Sequence, residues 1–129
     1  MTLETLSPAP DWDPADHGDA IDTLAGLDDE YVFRVWGDDG CGDCQALLPA
    51  FGAALEAAGV LDDRVVQYAV ERLPEGKKRG PQVPDYGIER IPTVVVERDG
   101  EEVVRFVEDE GMPIAEYLAE RLREIEASA

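Results

Sequence analysis

The chain has two cysteines, and they stand two residues apart in W-G-D-D-G-C-G-D-C, residues 36–44. A pair so spaced can work as a dithiol that is oxidised and reduced in turn, can hold half of a metal site, or can close a small structural disulfide. Three aspartates, Asp38, Asp39 and Asp43, crowd the thiols. A structural zinc site needs four ligands, and beyond the cysteines the chain offers one histidine, His17. Zinc would then require carboxylates or a second chain bridging two cysteine pairs, and no metal is expected. A structural disulfide closing so short a loop would stabilise little and is a poor fit to a reducing cytosol. Thiol exchange is the leading chemistry.

Exchange needs a reactive first thiol and a second within reach, and the flanking elements supply both. Y-V-F-R-V-W (31–36) is a β-branched and aromatic run of strand length, whose near-continuous apolarity suggests burial on both faces. A helix follows from the cysteine pair to about Ala58, with Leu47, Leu48, Phe51, Leu55 and Ala58 on one face and Gly59 as its stop. Pro49 lacks the N–H that would bond the carbonyl of Gln45, so a kink is expected there. At such a strand-to-helix turn, unpaired backbone N–H groups and the positive end of the helix dipole favour a thiolate on Cys41. Cys44, one helical turn further on, can then attack a mixed disulfide formed on Cys41.

Around this unit the pattern predicts a short helix over about 19–27 and a second strand over 64–71, parallel to the first by a right-handed crossover. Residues 73–84 are a long loop by composition. T-V-V-V-E-R (93–98) and E-E-V-V-R-F-V (101–107) are strands joined by Asp99-Gly100, a strong hairpin signal. Pro113 opens a last helix with Ile114, Tyr117, Leu118, Leu122 and Ile125 on one face. Residues 1–18, rich in proline and aspartate, read as an extended arm that could wrap the domain through Leu3, Leu6 and Trp12. Residues 19–129 read as a single domain.

These features together resemble the thioredoxin family over about residues 20–126. The resemblance rests on a strand ending in Trp36, C-G-D-C at the start of a helix, and Pro49 five residues after the second cysteine. It extends to D-Y-G-I-E-R-I-P-T (85–93), the D-G hairpin, Gly111 and the closing amphipathic helix. It implies an α/β thioredoxin-like fold, a central mixed sheet of four to five strands flanked by helices on both faces. It further implies a cis Pro92 packed against the cysteines, with the Ile91 backbone pairing with an extended substrate. Cys41 and Cys44 are the implied catalytic pair, protein disulfides the implied substrates, and a thioredoxin-reductase-type flavoprotein the implied electron donor. No bound cofactor is expected.

Three positions depart from the family pattern. Gly40 stands where thioredoxins usually carry tryptophan before the first cysteine, after a one-residue insertion in G-D-D-G, and this alters the substrate-contacting surface. Asp43 replaces the usual proline between the cysteines, and its carboxylate would oppose the Cys41 thiolate or simply serve as an N-terminal helix acid. Arg34 falls where the family usually buries an acid. It could stabilise negative charge beneath the site, pair with Asp38, Asp39 or Asp43, or reach solvent.

The formal charge of −19, with two lysines and nine arginines against thirty acids, excludes nucleic acid and anionic membrane as natural partners. The balance also suits a salt-adapted, halophilic proteome. Lys77, Lys78 and Arg79 form the single cationic cluster, a solvated loop or a docking site. No apolar run reaches membrane-spanning length and the start of the chain lacks the regions of a leader, so a cytoplasmic monomer is expected. The leading function is a protein-disulfide reductase. The alternative is a redox-sensing or adaptor module whose cysteine pair changes partner binding with little turnover.

Overall fold

The computed structural model describes residues 6, 12–27, 30–38, 42–60, 64–72, 78–80, 82–107 and 112–128, with the backbone alone at 43, 72, 78, 79, 84 and 126–128. A 3-10 turn over Pro14–His17 starts with Pro14, whose missing N–H costs nothing at a helix start. Its first turn is capped by Asp13, whose Oδ1 accepts from the N–H of Ala15 at 3.0 Å. The turn leads directly into α1 (Gly18–Ala25).

Strand β1 (Tyr31–Gly37) precedes α2 (Gly42–Ala58), which carries through Pro49 without a break in the helix. Strand β2 (Val65–Ala69) lies parallel to β1, completing the expected crossover unit. The stretch expected as loop holds more structure than its composition indicated. Strands β3 (Glu71–Arg72) and β4 (Lys78–Arg79) pair as a two-residue ladder, and α3 (Val83–Tyr86) is a single turn. Gly80 permits this return: a Cβ there would lie 2.9 Å from the carbonyl oxygen of Ala69. Buried Val83 then anchors α3.

Strands β5 (Thr93–Arg98) and β6 (Glu101–Val107) form the predicted hairpin, with φ of 53° at Asp99 and 84° at Gly100. Two positive values are what a tight primed turn requires, and Asp-Gly supplies them cheaply. The register of this hairpin shifts between Val96 and Glu97, so Val96 faces Val104 while Glu97 faces Glu102. Helix α4 (Ile114–Ser128) starts as expected, the carbonyl of Pro113 accepting from the N–H of Tyr117 at 3.0 Å.

The four-stranded sheet has the order β2-β1-β5-β6, with β5 and β6 antiparallel to their neighbours. Phe33 meets Phe51 edge-on at 6.4 Å, and Phe106 meets Tyr117 at 5.4 Å. These contacts place α2 and α4 on one face, where α1 packs with them. Alternation sends Val32, Arg34 and Trp36 to the other face. There the expectation of a strand buried on both sides fails in part, because α3 is one turn long and leaves Val32 and Arg34 half-buried.

Candidate functional site

The end of β1 is built to hold a rigid platform. Trp36 is fully buried, stacked on Tyr68 of β2 at 4.7 Å and tilted against Tyr86 of α3 at 5.0 Å. Aromatic contacts of this kind add to the area each ring buries. One residue on, Gly37 ends the strand, and the chain leaves for the cysteine pair.

Cys44 lies in the first turn of α2 and is fully buried. A buried sulfur cannot meet a disulfide carried on another protein; it can only react with a sulfur brought to it. Cys41 and Gly40, the other two positions singled out in this turn, lie outside the described residues, as does Gly111. Asp43 is helical in its backbone, within the first turn, and its side chain is not described.

Opposite this turn, the Ile91–Pro92 peptide is cis, as the resemblance implies. Both residues are buried, and the hydroxyl of Thr93 donates to the carbonyl of Arg90 at 2.5 Å across the bend. Register fixes where this bend sits: Thr93 pairs directly with Trp36. The cis bend therefore stands at the same end of the sheet from which the chain departs toward Cys44. Of the predicted site residues, the fold gathers Cys44, Ile91 and Pro92 at that end.

Arg34 is engaged by groups of the two neighbouring strands and of α3, while Asp39 and the Asp43 side chain lie outside the described residues. Its Nε donates to Glu97 Oε1 at 2.5 Å, a second guanidinium nitrogen donates to the Tyr68 hydroxyl, and its head lies 5.7 Å from the Tyr86 ring centre. Tyr86 in turn donates its hydroxyl to Glu97 Oε2 at 2.7 Å. Glu97 thus accepts on both oxygens and is 7% exposed. Burial pushes its carboxyl up, but the bonds from Arg34 and Tyr86 and the charge of Arg34 outweigh that and hold it below the usual value. The same bond holds Arg34 firmly charged. The Tyr86 hydroxyl is pushed up, first by its bond to Glu97 and then by burial.

Sequence reasoning missed Glu97, Tyr68 and Tyr86. One signal was present: a single acid inside T-V-V-V-E-R and a single cation inside Y-V-F-R-V-W, each interrupting an apolar strand. Two opposite charges in adjacent strands satisfy each other if their parity matches. Among the described residues no group of three or more His, Cys, Asp and Glu is placed to hold a metal ion. No helix of the described residues is long and apolar enough to cross a membrane.

No protein-family model matches the chain, and no curated protein matches it. Solved structures with a similar arrangement include a protein of unknown function from Pseudomonas aeruginosa, 21% identical, covering 87% of this chain and 75% of that one with a TM-score of 0.54. A mutant thioredoxin from Halobacterium salinarum is 19% identical, with 96% and 95% covered and a TM-score of 0.46. A thioredoxin-fold protein from Helicobacter pylori is 14% identical, with 88% and 82% covered and a TM-score of 0.45. Strand order, the helix between parallel β1 and β2, and the cis bend before β5 give the chain an α/β thioredoxin-like fold.

Proposed function

We propose that the protein is a thiol-disulfide oxidoreductase that reduces disulfides on other proteins. The observation that carries this reading is a fully buried Cys44 in the first turn of α2, at the sheet end where the cis Ile91–Pro92 bend stands. The Cys41 thiolate attacks one sulfur of the substrate disulfide, forming a mixed disulfide and expelling the other sulfur as a thiolate that takes a proton. Cys44, deprotonated, then attacks the Cys41 sulfur, releasing the second substrate thiolate. Two electrons pass to the substrate, and a Cys41–Cys44 disulfide remains. An external dithiol or a thioredoxin-reductase-type flavoprotein restores it. Ile91 and Pro92 would bind the substrate backbone beside the sulfurs, Gly40 would leave room over Cys41, and Asp43 would set how readily Cys41 ionises.

The burial of Cys44 supports the order of these roles, because a sulfur out of reach of a substrate disulfide suits the resolving role. Arg34 is engaged with Glu97, so the usual buried acid is replaced at that position by a cation, and resolution proceeds without its help. That substitution favours the second reading, a sensor or adaptor that cycles slowly.

Mixed-disulfide trapping with Cys44→Ser, followed by identification of the captured protein, tests the nucleophile and names the substrate. Multiple-turnover disulfide reduction with a dithiol donor, lost in Cys41→Ser, supports the enzyme. Oxidation that stops after one equivalent supports the sensor and sinks the reductase. We further propose that the acidic surface is an adaptation to salt. The melting temperature then rises between dilute buffer and molar KCl; an unchanged value removes the idea.

A further inference from the structure

The segment that brings Ile91 and Pro92 to the cysteine end is held at both of its ends. On the strand side, Thr93 pairs with Trp36, and its hydroxyl bonds the carbonyl of Arg90. On the other side stands α3, a single turn that ends at Tyr86. That turn closes with a glycine in the left-handed region: φ is 64° at Gly87, and the N–H of Ile88 donates to the carbonyl of Val83 at 3.0 Å. Val83 and Ile88 are buried, whereas Glu89 and Arg90 are exposed. The place of the bend is therefore set by where α3 and β5 hold its two ends.

One helical turn is too short to be stable by itself, so α3 depends on what it packs against. Burial of Val83 and Ile88 keeps it on the sheet, but apolar contact has no direction and does not oppose sliding. Direction comes from Tyr86. Its ring lies 5.0 Å from that of Trp36 and 5.7 Å from the Arg34 guanidinium, and its hydroxyl donates to Glu97 Oε2 at 2.7 Å. Glu97 is fixed in turn by Arg34, which donates to Oε1 at 2.5 Å.

We propose that Tyr86 is a positioning residue, which through Glu97 fixes the Ile91–Pro92 bend for pairing with an extended polypeptide and so sets a preference for disulfides carried in protein chains over small disulfides. The proposal rests on the oxidoreductase reading given above. Tyr86 acts without touching the substrate. Backbone pairing tolerates little displacement of Ile91, so freeing one end of the segment weakens the binding of a polypeptide before it affects sulfur exchange. A small disulfide has no backbone to pair and meets Cys41 without the bend. Tyr68 supplies the contrast: its hydroxyl accepts from Arg34 in the same network, but it lies on β2, across β1 from the strand that follows the bend.

The test compares Tyr86→Phe with Tyr68→Phe in the full chain. Each variant removes one hydroxyl from the network and keeps its ring. Initial rates are measured with a dithiol donor, after subtraction of the uncatalysed rate, for insulin as a polypeptide disulfide and for hydroxyethyl disulfide as a small one. Tyr86→Phe should raise KM for insulin about threefold to tenfold, the span of one hydrogen bond, with kcat unchanged. Its rate with hydroxyethyl disulfide should match wild type, and Tyr68→Phe should match wild type on both probes. An insulin KM that Tyr86→Phe leaves unchanged, an equal rise in the two variants, or an equal loss on both probes overturns the positioning role while the oxidoreductase reading stands. A wild-type protein that turns over neither probe sinks that reading and this proposal with it.

Discussion

On one face of the sheet, Phe33 meets Phe51 in a contact that any well-sized apolar side chains could approximate. On the other, Arg34, Glu97, Tyr68 and Tyr86 interlock by directed bonds beneath Trp36. The first face is covered by three helices and is held by excluded water. The second is covered by one helical turn and stays partly wet, with Val66 38% exposed. Where cover is thin, apolar area alone cannot fix Trp36, and a polar network does so through geometry. Its cost is that every member depends on the others, since an unmatched partner is left desolvated.

The largest effect should come from the apolar face. Phe51→Ala opens a cavity beside Phe33 and should cost about 3–5 kcal/mol in urea denaturation. Next, Glu97→Ala strands Arg34 and the Tyr86 hydroxyl and should cost about 2–3 kcal/mol, because Arg34 can draw on solvent in part. A double-mutant cycle with Arg34→Met should return about 1–2 kcal/mol of coupling. Coupling near zero would mean that the second face, too, is held by burial alone.

Acid should separate the faces further. The folded Glu97 carboxyl lies below its ordinary value of 4.5. Its contribution is therefore complete above the ordinary carboxylate range and is lost as pH falls through the lowered folded value. The stability difference between wild type and Glu97→Gln should shrink between pH 6 and 3, while the Phe51→Ala difference stays constant. The smallest effect is expected for Tyr86→Phe, about 1 kcal/mol, reading the single hydroxyl bond to Glu97. A loss equal to that of Glu97→Ala would place the network's weight on Tyr86 instead.

The two faces also differed in legibility. Helical spacing of Leu48, Phe51 and Leu55, the strand runs, the Asp99-Gly100 turn and the I-P-T bend are local signals, and the elements they predicted are present. The partner of Arg34 was not local. Loop aspartates were nearer in sequence, but Glu97, 63 residues away, is brought alongside by strand register. Register depends on how β1 and β5 align, which no short motif states. The β3–β4 ladder and α3 were hidden for a related reason: proline and glycine in 73–84 signal turns, and short pieces of structure between turns leave no period to detect.

The shift in the β5–β6 hairpin has a consequence for β6 itself. In an unbroken strand, residues three apart point to opposite faces. Yet Arg105 holds Glu102 with two bonds, Nε to Oε2 at 3.0 Å and its terminal nitrogen to Oε1 at 2.8 Å. The extra residue between Val104 and Glu102 reverses the alternation, bringing both charges to one side. The ion pair is thus a gauge of strand phase: it can close only while the bulge is present, and removing Val103 would turn one of its partners over.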